Sequence, residues 1–475
     1  MLLRRATLAA SGHLWLACAS SRPPRAPLLL PRGGLAATTR AARTAPTRGA
    51  ASDPRPRALS SAAAAAASSP PPPPPPPGSP PRQRKHRLVF LGTPEPAACV
   101  LRSLLEASRH PLSAFEVAAV VTQPAKAQGR GRRAAPPSPV AAAAAEAGFL
   151  PPADAGAGSP PPSPASPPPP PLLLCPSSPK DEAFLELLER AVRPDLCVTV
   201  AYGGLLPARF LSIPARGTLN VHPSLLPRWR GAAPVQRTLA AGDAECGVSL
   251  AFTVLALDAG PVLASQALPT PARATAPELL RLLMERGGEL LLRELPRVLS
   301  GESSFETATP QAEVERRALE AAARGGAGAR APLASHAARL TRDDGRIDPF
   351  SQSLQQAFDR WRSAAGWPGG WLVVRAEGDE GGGGRELRLE AAAPLLEEGA
   401  ELEAARRAFG ASPPRAGALA ATRDALLVAC ADGGILRVTQ VKPAGGRAMG
   451  AGAWANGLGG RKVAAVAVDE EGGGG

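Results

Sequence analysis

The chain has 475 residues, enough for two or three domains, but 56 prolines beside only six Trp, one Tyr and ten Phe indicate that a large part of it builds no core. Residues 1–87 hold fourteen Lys or Arg and a single acid, Asp53, and therefore account for the whole net charge of +13. The remaining 388 residues are neutral overall, so the pI near 10.5 comes from the N-terminal segment. It is therefore no evidence that the folded part of the chain binds RNA.

The N-terminal segment has the composition of a mitochondrial transit peptide, because it is rich in Arg, Ala and Ser and nearly free of acids. Its apolar run, Leu14–Ala19, is too short for a secretory signal, and Arg22 and Arg25 follow too soon for a membrane span. We expect residues 1–86 to be a transit peptide and a disordered Pro-rich leader, and the protein to lie in the mitochondrial matrix without membrane contact. The alternative is a disordered N-terminus that carries no address.

The six cysteines form no CxxC pair and have no histidines at ligand spacing, so we expect neither a structural metal site nor a disulfide framework. They are Cys18, Cys99, Cys175, Cys197, Cys246 and Cys430.

Beyond the proline spacer, short apolar runs alternate with segments of helical periodicity. Strands are predicted at 88–91, 117–121, 196–201, 217–221 and 247–255, and helices at 95–107, 139–147, 181–191 and 276–299. This alternation predicts a doubly wound, mostly parallel, Rossmann-like α/β sheet over 87–300. The Pro-rich stretch 150–179 is predicted to be an insertion.

The rest of the chain is predicted to hold a second, smaller domain. Residues 301–335 have the composition of a charged linker, 336–466 contain short β-like runs typical of a small barrel, and 467–475 are expected to be a disordered tail. The Glu- and Gly-rich stretch 376–410 is predicted to be a loop.

Asn220 and His222 lie two residues apart at the end of a predicted strand, so both side chains face the same way. Sheets of this class bind ligands at the carboxyl ends of their strands. An amide and a protonated imidazole there would stabilise the oxyanion that develops when an amine attacks a carbonyl. Asp258, after the next strand, is the candidate carboxylate that orients and charges the imidazole. Singly, such residues are more often turn formers or satisfied polar groups; together they predict a catalytic group.

The segment 220–231, Asn-Val-His-Pro-Ser-Leu-Leu-Pro-Arg-Trp-Arg-Gly, resembles the core motif of the folate-dependent formyltransferases, and Leu-Asp-Ala-Gly at 257–260 resembles their aspartate loop. The resemblance implies that Asn220, His222 and Asp258 are catalytic, that the formyl donor is 10-formyltetrahydrofolate, and that no metal is needed. It also implies that two loops hold the folate, through Gly204, Leu205, Leu206, Ser224, Leu225, Leu226 and Pro227.

Other motifs resemble the methionyl-tRNA formyltransferase branch of that family: Phe-Leu-Gly-Thr-Pro at 90–94, Thr-Gln-Pro at 122–124 and Gln-Gly-Arg-Gly-Arg-Arg at 128–133. A flexible basic loop beside an active site suits an approaching phosphate backbone. The resemblance implies that this loop meets the acceptor stem of methionyl-tRNA, with Arg130 foremost. Its basic residues are Lys126, Arg130, Arg132 and Arg133.

In the C-terminal part, Gly-Trp-Pro at 366–368 and the segment 440–449 resemble the oligonucleotide-binding (OB-like) barrel of the same family. The resemblance implies that Lys442 and Arg447 contact tRNA phosphates, although Gly446 stands where family members carry more positive charge. We expect the protein to act as a monomer.

Three other functions are less consistent with the sequence. A related formyltransferase could act on a small amine, such as glycinamide ribonucleotide or an amino sugar, but the basic loop, the second domain and the leader favour tRNA. A dinucleotide oxidoreductase is disfavoured because 91–96 lacks GxGxxG and carries two prolines. A tRNA-binding protein without catalysis is disfavoured because Asn220, His222 and Asp258 are all present.

Overall fold

The computed structural model describes residues 84–125, 135–152, 170–324, 333–378, 384–395, 400–410 and 414–467. The expectations for residues 1–83 and 468–475 lie outside these ranges. Within them, no helix is both long and apolar enough to cross a membrane.

The first domain is built on one twisted sheet. Its strands are β1 His86–Gly92, β2 Phe115–Val121, β3 Leu172–Leu174, β4 Leu196–Val200, β5 Thr218–His222, β7 Glu245–Phe252 and β8 Val262–Pro269, while β6 Arg230–Gly231 lies off this sheet. The spatial order is β3-β2-β1-β4-β5-β7-β8. Strands β3 to β5 pair in parallel, and β7 and β8 are antiparallel. The predicted doubly wound, mostly parallel sheet is confirmed.

Helices cover both faces of this sheet. They are α1 Glu95–Arg109, α2 Pro139–Glu146, α3 Glu182–Glu186 with a π-helical continuation Leu187–Val192, α4 Ala208–Ser212, α5 Pro234–Ala240 and α6 Ala276–Ser300. Along β1, Phe90 packs into the core beneath α1 and α6, while Val89 and Leu91 pack with α3 and α4 on the opposite face. A strand buried on both faces has no polar alternation, which is why the apolar run at 88–91 was recognisable.

The longest helix, α6, is delimited by local chemistry. At its start, the Thr275 backbone amide donates to Glu278 Oε2 (2.8 Å), and Pro277 stands in the first turn, where its missing N–H costs nothing. At its end, Gly301 adopts a left-handed conformation (φ 87°) that suits glycine. Its leucines pack against the sheet, so the helix forms one wall of the core.

Two segments that were predicted to be an insertion and a linker contain regular structure. Within the 150–179 stretch, β3 adds a parallel edge strand to β2, a position that tolerates flanking prolines. Three consecutive leucines among prolines have no alternating pattern, so composition concealed this strand. Within the predicted linker 301–335, α7 Gln311–Ala323 forms a helix, and its charged surface is laced by pairs such as Arg316–Glu313.

The second domain is a nearly closed antiparallel barrel, in agreement with the predicted OB-like class. It is preceded by β9 His336–Ala337, which pairs with β6 of the first domain, and its elements are a 3-10 turn Asp343–Gly345, α8 Leu354–Ala364, β10 Gly370–Ala376, β11 Arg385–Leu395, α9 Ala400–Ala408, β12 Leu419–Ala421, β13 Leu426–Ala429, β14 Ile435–Pro443, β15 Met449–Gly450, α10 Ala451–Asn456 and β16 Val463–Ala465. The order is β12-β13-β14-β11-β10-β16, and a bridge between Ala418 and Ala464 brings its ends together. The prediction that 376–410 is a loop was wrong, because this stretch contains β11 and α9.

The two domains meet through buried polar contacts. Asp359 and Arg362 of α8 form an ion pair (2.6 Å) whose side chains are each 5% exposed, and Arg362 Nη1 donates to the Pro271 carbonyl (2.9 Å). Arg237 of α5 binds Asp344 at 2.5 Å. Such pairs fix the orientation of one domain relative to the other, because each charged group has a partner in a defined position.

Candidate active site

Strand β5 carries two of the predicted catalytic residues. Asn220 is partly buried and His222 is 4% exposed, and their side chains lie on the same face as expected from the strand period. β5 is the last parallel strand, with β4 on one side and antiparallel β7 on the other. The site therefore lies where the sheet changes direction.

The Asn220 carboxamide has a defined orientation. Its Nδ2 lies 3.4 Å from Asp258 Oδ1, and its Oδ1 accepts a hydrogen bond of 2.9 Å from the hydroxyl of Thr199 on β4. Because a carboxylate only accepts, the nitrogen must face Asp258 and the oxygen must face Thr199. One Nδ2 proton remains for a substrate oxygen. Thr199 was not singled out from the sequence, where nothing marks a threonine in an apolar run.

The His222 ring is held through its far nitrogen. Nε2 lies 3.0 Å from the carbonyl oxygen of Trp229, which can only accept, so Nε2 carries a proton. Nδ1 lies 3.8 Å from Asp258 Oδ2, within ion-pair range but beyond a normal hydrogen bond. When the ring is protonated, its Nδ1–H can therefore be donated to a third group beside the carboxylate.

The chain segment that places Asp258 beside Asn220 and His222 was not predicted from the sequence. Because β7 is antiparallel to β5, its carboxyl end lies at the amino end of β5, and the connection 253–261 must turn back. Asp258 adopts a left-handed conformation (φ 50°), and its Oδ2 accepts from the Gly231 amide (2.9 Å). A Cβ on Gly260 would lie 1.7 Å from the Phe252 carbonyl oxygen, so the turn requires glycine. The three side chains lie together, although the strand that precedes Asp258 is antiparallel to β5.

Further polar residues support the loop after β5. Asp243 is 7% exposed and accepts from Trp229 Nε1 (2.8 Å) and from Arg228 Nε (2.8 Å). The Trp229 amide donates to Ser335 Oγ (2.9 Å), and Trp229 itself has φ 62°. These contacts fix the carbonyl that holds His222. Asp243 and Ser335 lie 14 and 106 residues from Trp229, and no local pattern identifies them.

The residues predicted to hold folate divide into exposed and buried groups. Leu205 is 70% exposed in the loop after β4, whereas Leu226 is 2% exposed and packs with Ala251 and Val262. Ser224 is 2% exposed, and its hydroxyl donates to the Arg228 carbonyl (2.7 Å). Buried side chains such as these hold the loop in its shape. The assignment of folate contacts to these residues stays a prediction.

The predicted tRNA contacts are only partly described. Lys126, Arg130, Arg132 and Arg133 lie outside the described residues. Lys442 is at the end of β14, where it is paired in register with Arg388 of β11, and Arg447 is exposed in the following turn. Two basic side chains thus lie side by side on the barrel. Within the described ranges, no group of three or more His, Cys, Asp or Glu is arranged to hold a metal ion.

Comparison with known proteins identifies the family. Models described as "Formyl transferase" and "Formyl transferase, C-terminal domain" match residues 86–295 and 339–459. The chain is 35% identical over 371 residues to "Methionyl-tRNA formyltransferase" of Halorhodospira halophila. This alignment covers 78% of this chain and 96% of that relative. The chain belongs to the methionyl-tRNA formyltransferase family. Its sheet and its barrel match the two parts of that family in the order found here.

Two further relatives of this formyltransferase bear the same name. The enzyme of Thermus thermophilus is 35% identical over 373 residues, and that of Thermobifida fusca is 36% identical over 374 residues, each covering 78% of this chain and 96% of the relative. Among solved structures, HypX from Aquifex aeolicus is 16% identical with a TM-score of 0.46, covering 80% of this chain and 49% of that one. This chain spans about half the length of HypX.

Proposed function

We propose that this formyltransferase moves the formyl group of 10-formyltetrahydrofolate to the α-amine of methionyl-tRNA in the mitochondrial matrix. The observation that carries the proposal is the position of Asn220 Nδ2 and His222 Nδ1, which lie 3.4 and 3.8 Å from the two oxygens of the Asp258 carboxylate. Two donors and one acceptor at a single point suit attack of an amine on a carbonyl. The relatives named above support the choice of substrate.

The residues have separate tasks in this reaction. A bond forms between the amine nitrogen and the formyl carbon, while the bond from that carbon to the folate nitrogen breaks. Asn220 Nδ2–H and the Nδ1–H of protonated His222 donate to the formyl oxygen as negative charge builds on it. Asp258 lies opposite the imidazolium charge and positions a water that carries the amine proton to the departing folate nitrogen.

The surroundings of these residues fit a flat heteroaromatic donor. Leu205 and Leu257, 70% and 51% exposed, present apolar surface in the two loops that flank the catalytic group. The first loop begins with left-handed residues, Ala201 (φ 45°) and Gly203 (φ 82°), which turn the chain away from the end of β4. An apolar surface beside a few directed polar groups is typical of cofactor and co-substrate sites.

The matrix location rests on the composition of residues 1–86. The test is to fuse this segment to a reporter protein and to incubate the fusion with isolated, energised mitochondria. We expect a protease-protected, shortened product that depends on the membrane potential. A matched leader in which all arginines are replaced by glutamine serves as the control, and equal import of both would reject the location.

The reaction is tested by incubating the full chain with methionyl-tRNA and a labelled formyl donor. We expect labelled formylmethionyl-tRNA, and no comparable transfer to free methionine, glycinamide ribonucleotide or an amino sugar. Labelling of a small amine at a higher kcat/KM than methionyl-tRNA would replace the proposal with the alternative substrate class.

A further inference from the structure

A glutamine from the segment between the domains is fully engaged by the active-site loops. Gln311, the first residue of α7, is 4% exposed. Its Nε2 donates to the carbonyl oxygens of Asp258 and Gly260, both at 2.7 Å, and its Oε1 accepts from Arg230 Nε at 2.7 Å. Both amide protons and the amide oxygen therefore have partners.

The hydrogen-bonding partners of Gln311 are compatible only with a side-chain amide. The two carbonyls can only accept and the guanidinium can only donate, which fixes the orientation of the amide. A glutamate would put one acceptor oxygen against both carbonyls, and a methionine of similar volume would leave all three partners unpaired. The side chain at this position must therefore donate two protons to the carbonyls and accept one hydrogen bond from Arg230.

The segments that Gln311 joins are the same two that meet at the catalytic carboxylate. Gly231, next to Arg230, donates its amide to Asp258 Oδ2, and Asp258 and Gly260 belong to the turn bound by Nε2. A non-glycine residue with φ near +50° is disfavoured and persists only where its surroundings hold it. Gln311 supplies that restraint at the Asp258 carbonyl.

Gln311 itself is fixed in position by the backbone before it. Val262 and Thr309 exchange two hydrogen bonds of 2.8 and 2.9 Å, which tie the segment before α7 to the first residue of β8. The amide therefore reaches the Asp258 turn from a rigid support.

We propose that Gln311 is a positioning residue for formyl transfer, which sets the place of the Asp258 carboxylate relative to His222 and Asn220. The inference rests on the proposed function and adds a residue from outside the sheet to it. Gln311 acts through Asp258, so its loss lowers turnover while both substrates still bind.

The first test is Gln311→Met, which keeps the side-chain volume. Since a misplacement of about 1 Å can cost roughly 10²-fold, we expect kcat to fall about 10- to 100-fold, with each KM within about threefold of wild type. Gln352→Met is the matched control, because the Gln352 side chain binds the Asp348 amide (3.0 Å) in the second domain. A kcat within about threefold of wild type for Gln311→Met overturns the proposal.

Gln311→Glu separates positioning from simple support of Arg230. A carboxylate would bind the guanidinium at least as well as the amide does, but it would repel both carbonyls. We expect kcat to fall as much as in Gln311→Met. Wild-type turnover by Gln311→Glu would show that only the contact with Arg230 matters and would reject the proposed role.

The third variant pair shows whether Gln311 acts through Asp258. In an Asp258→Asn background we expect Gln311→Met to cause less than about a threefold further loss, because the group being positioned is already disabled. A full 10- to 100-fold additional loss would mean that the two residues act independently, which contradicts the inference.

A readout without turnover keeps this inference separate from the proposed function. The chain has five histidines, and the ring signals of His222 can be assigned in NMR spectra by comparison with His222→Ala. We expect the chemical shifts of the His222 ring to change in Gln311→Met, or in Gln311→Glu if the first variant does not fold, and to stay the same in Gln352→Met. If wild type makes no formylmethionyl-tRNA, the proposed function fails, while these ring signals still test the positioning; unchanged signals reject the inference.

Discussion

The catalytic edge of the sheet and the basic face of the barrel hold their polar side chains in opposite ways. Asn220, His222 and Asp258 are each bound by at least two neighbouring groups. Lys442 lies near the end of β14 opposite Arg388, and Arg447 is exposed in a turn. Bond making needs donors at fixed positions, whereas a phosphate backbone is attracted by charge at many geometries. Substitutions should therefore affect turnover at the first region and salt-dependent affinity at the second.

The largest effect is expected from Asn220→Ala and His222→Ala. Each removes a donor to the developing oxyanion, so we expect kcat to fall about 10²- to 10³-fold while folate affinity changes little. Steady-state kinetics and donor-binding titrations measure the two quantities. Asn456→Ala and His110→Ala, both at exposed positions, are the controls. Turnover within threefold of wild type would falsify the assignment of these roles.

A smaller loss is expected from Thr199→Val, which keeps the shape but removes the hydroxyl that orients Asn220. We expect kcat to fall about tenfold, the equivalent of roughly one hydrogen bond, with KM unchanged. Thr422→Val is a matched control, since the Thr422 hydroxyl binds Ala425 within the second domain. Equal kinetics of Thr199→Val and wild type would show that Asp258 alone orients the amide.

At the barrel, Lys442→Ala and Arg447→Ala should weaken tRNA binding without changing kcat at saturation. Each lost phosphate contact should reduce the slope of log affinity against log salt by about 1, and affinity by a few-fold. Arg281→Ala, on the exposed side of α6, tests for a general effect of charge. Unchanged salt slopes would remove these two residues from the tRNA interface.

The smallest effect is expected at the ion pair between Arg237 and Asp344, which joins the two domains. Burial alone would raise the pKa of Asp344, but hydrogen bonds from Arg237 and Thr341 outweigh it and hold that pKa below its ordinary value of 3.8. The pair therefore stabilises the fold at neutral pH, and its contribution disappears as pH falls below 3.8 through the lower folded-state pKa. We expect Asp344→Asn to cost about 1 kcal/mol in urea unfolding at pH 7 and less near pH 3, with kcat unchanged. Asp343→Asn, at an exposed neighbour, is the comparison; a pH-independent difference would contradict the linkage.

The sequence predicts the strands of the sheet better than it predicts the contacts of the active site. The strands at 88–91 and 217–221 were predicted because burial on both faces leaves an apolar run. Asn220 and His222 were recognisable because the strand period places them together. The antiparallel turn that delivers Asp258 was not, since pairing direction has no signature within one strand. Thr199 and Gln311 were also missed, because their roles depend on partners 21 and 53 residues away.

The pairing of β6 with β9 and the contact of Trp229 with Ser335 have a practical consequence for dissecting the molecule. Residues 335–337 follow the sheet domain in the chain, but they form hydrogen bonds with the loop after β5 of that domain. A fragment ending at 300 would retain every strand of the sheet and still expose unpaired amides at Trp229 and Arg230. The smallest autonomous catalytic piece should therefore extend to at least 337, and a chimaera that exchanges the barrel should place its junction beyond that residue.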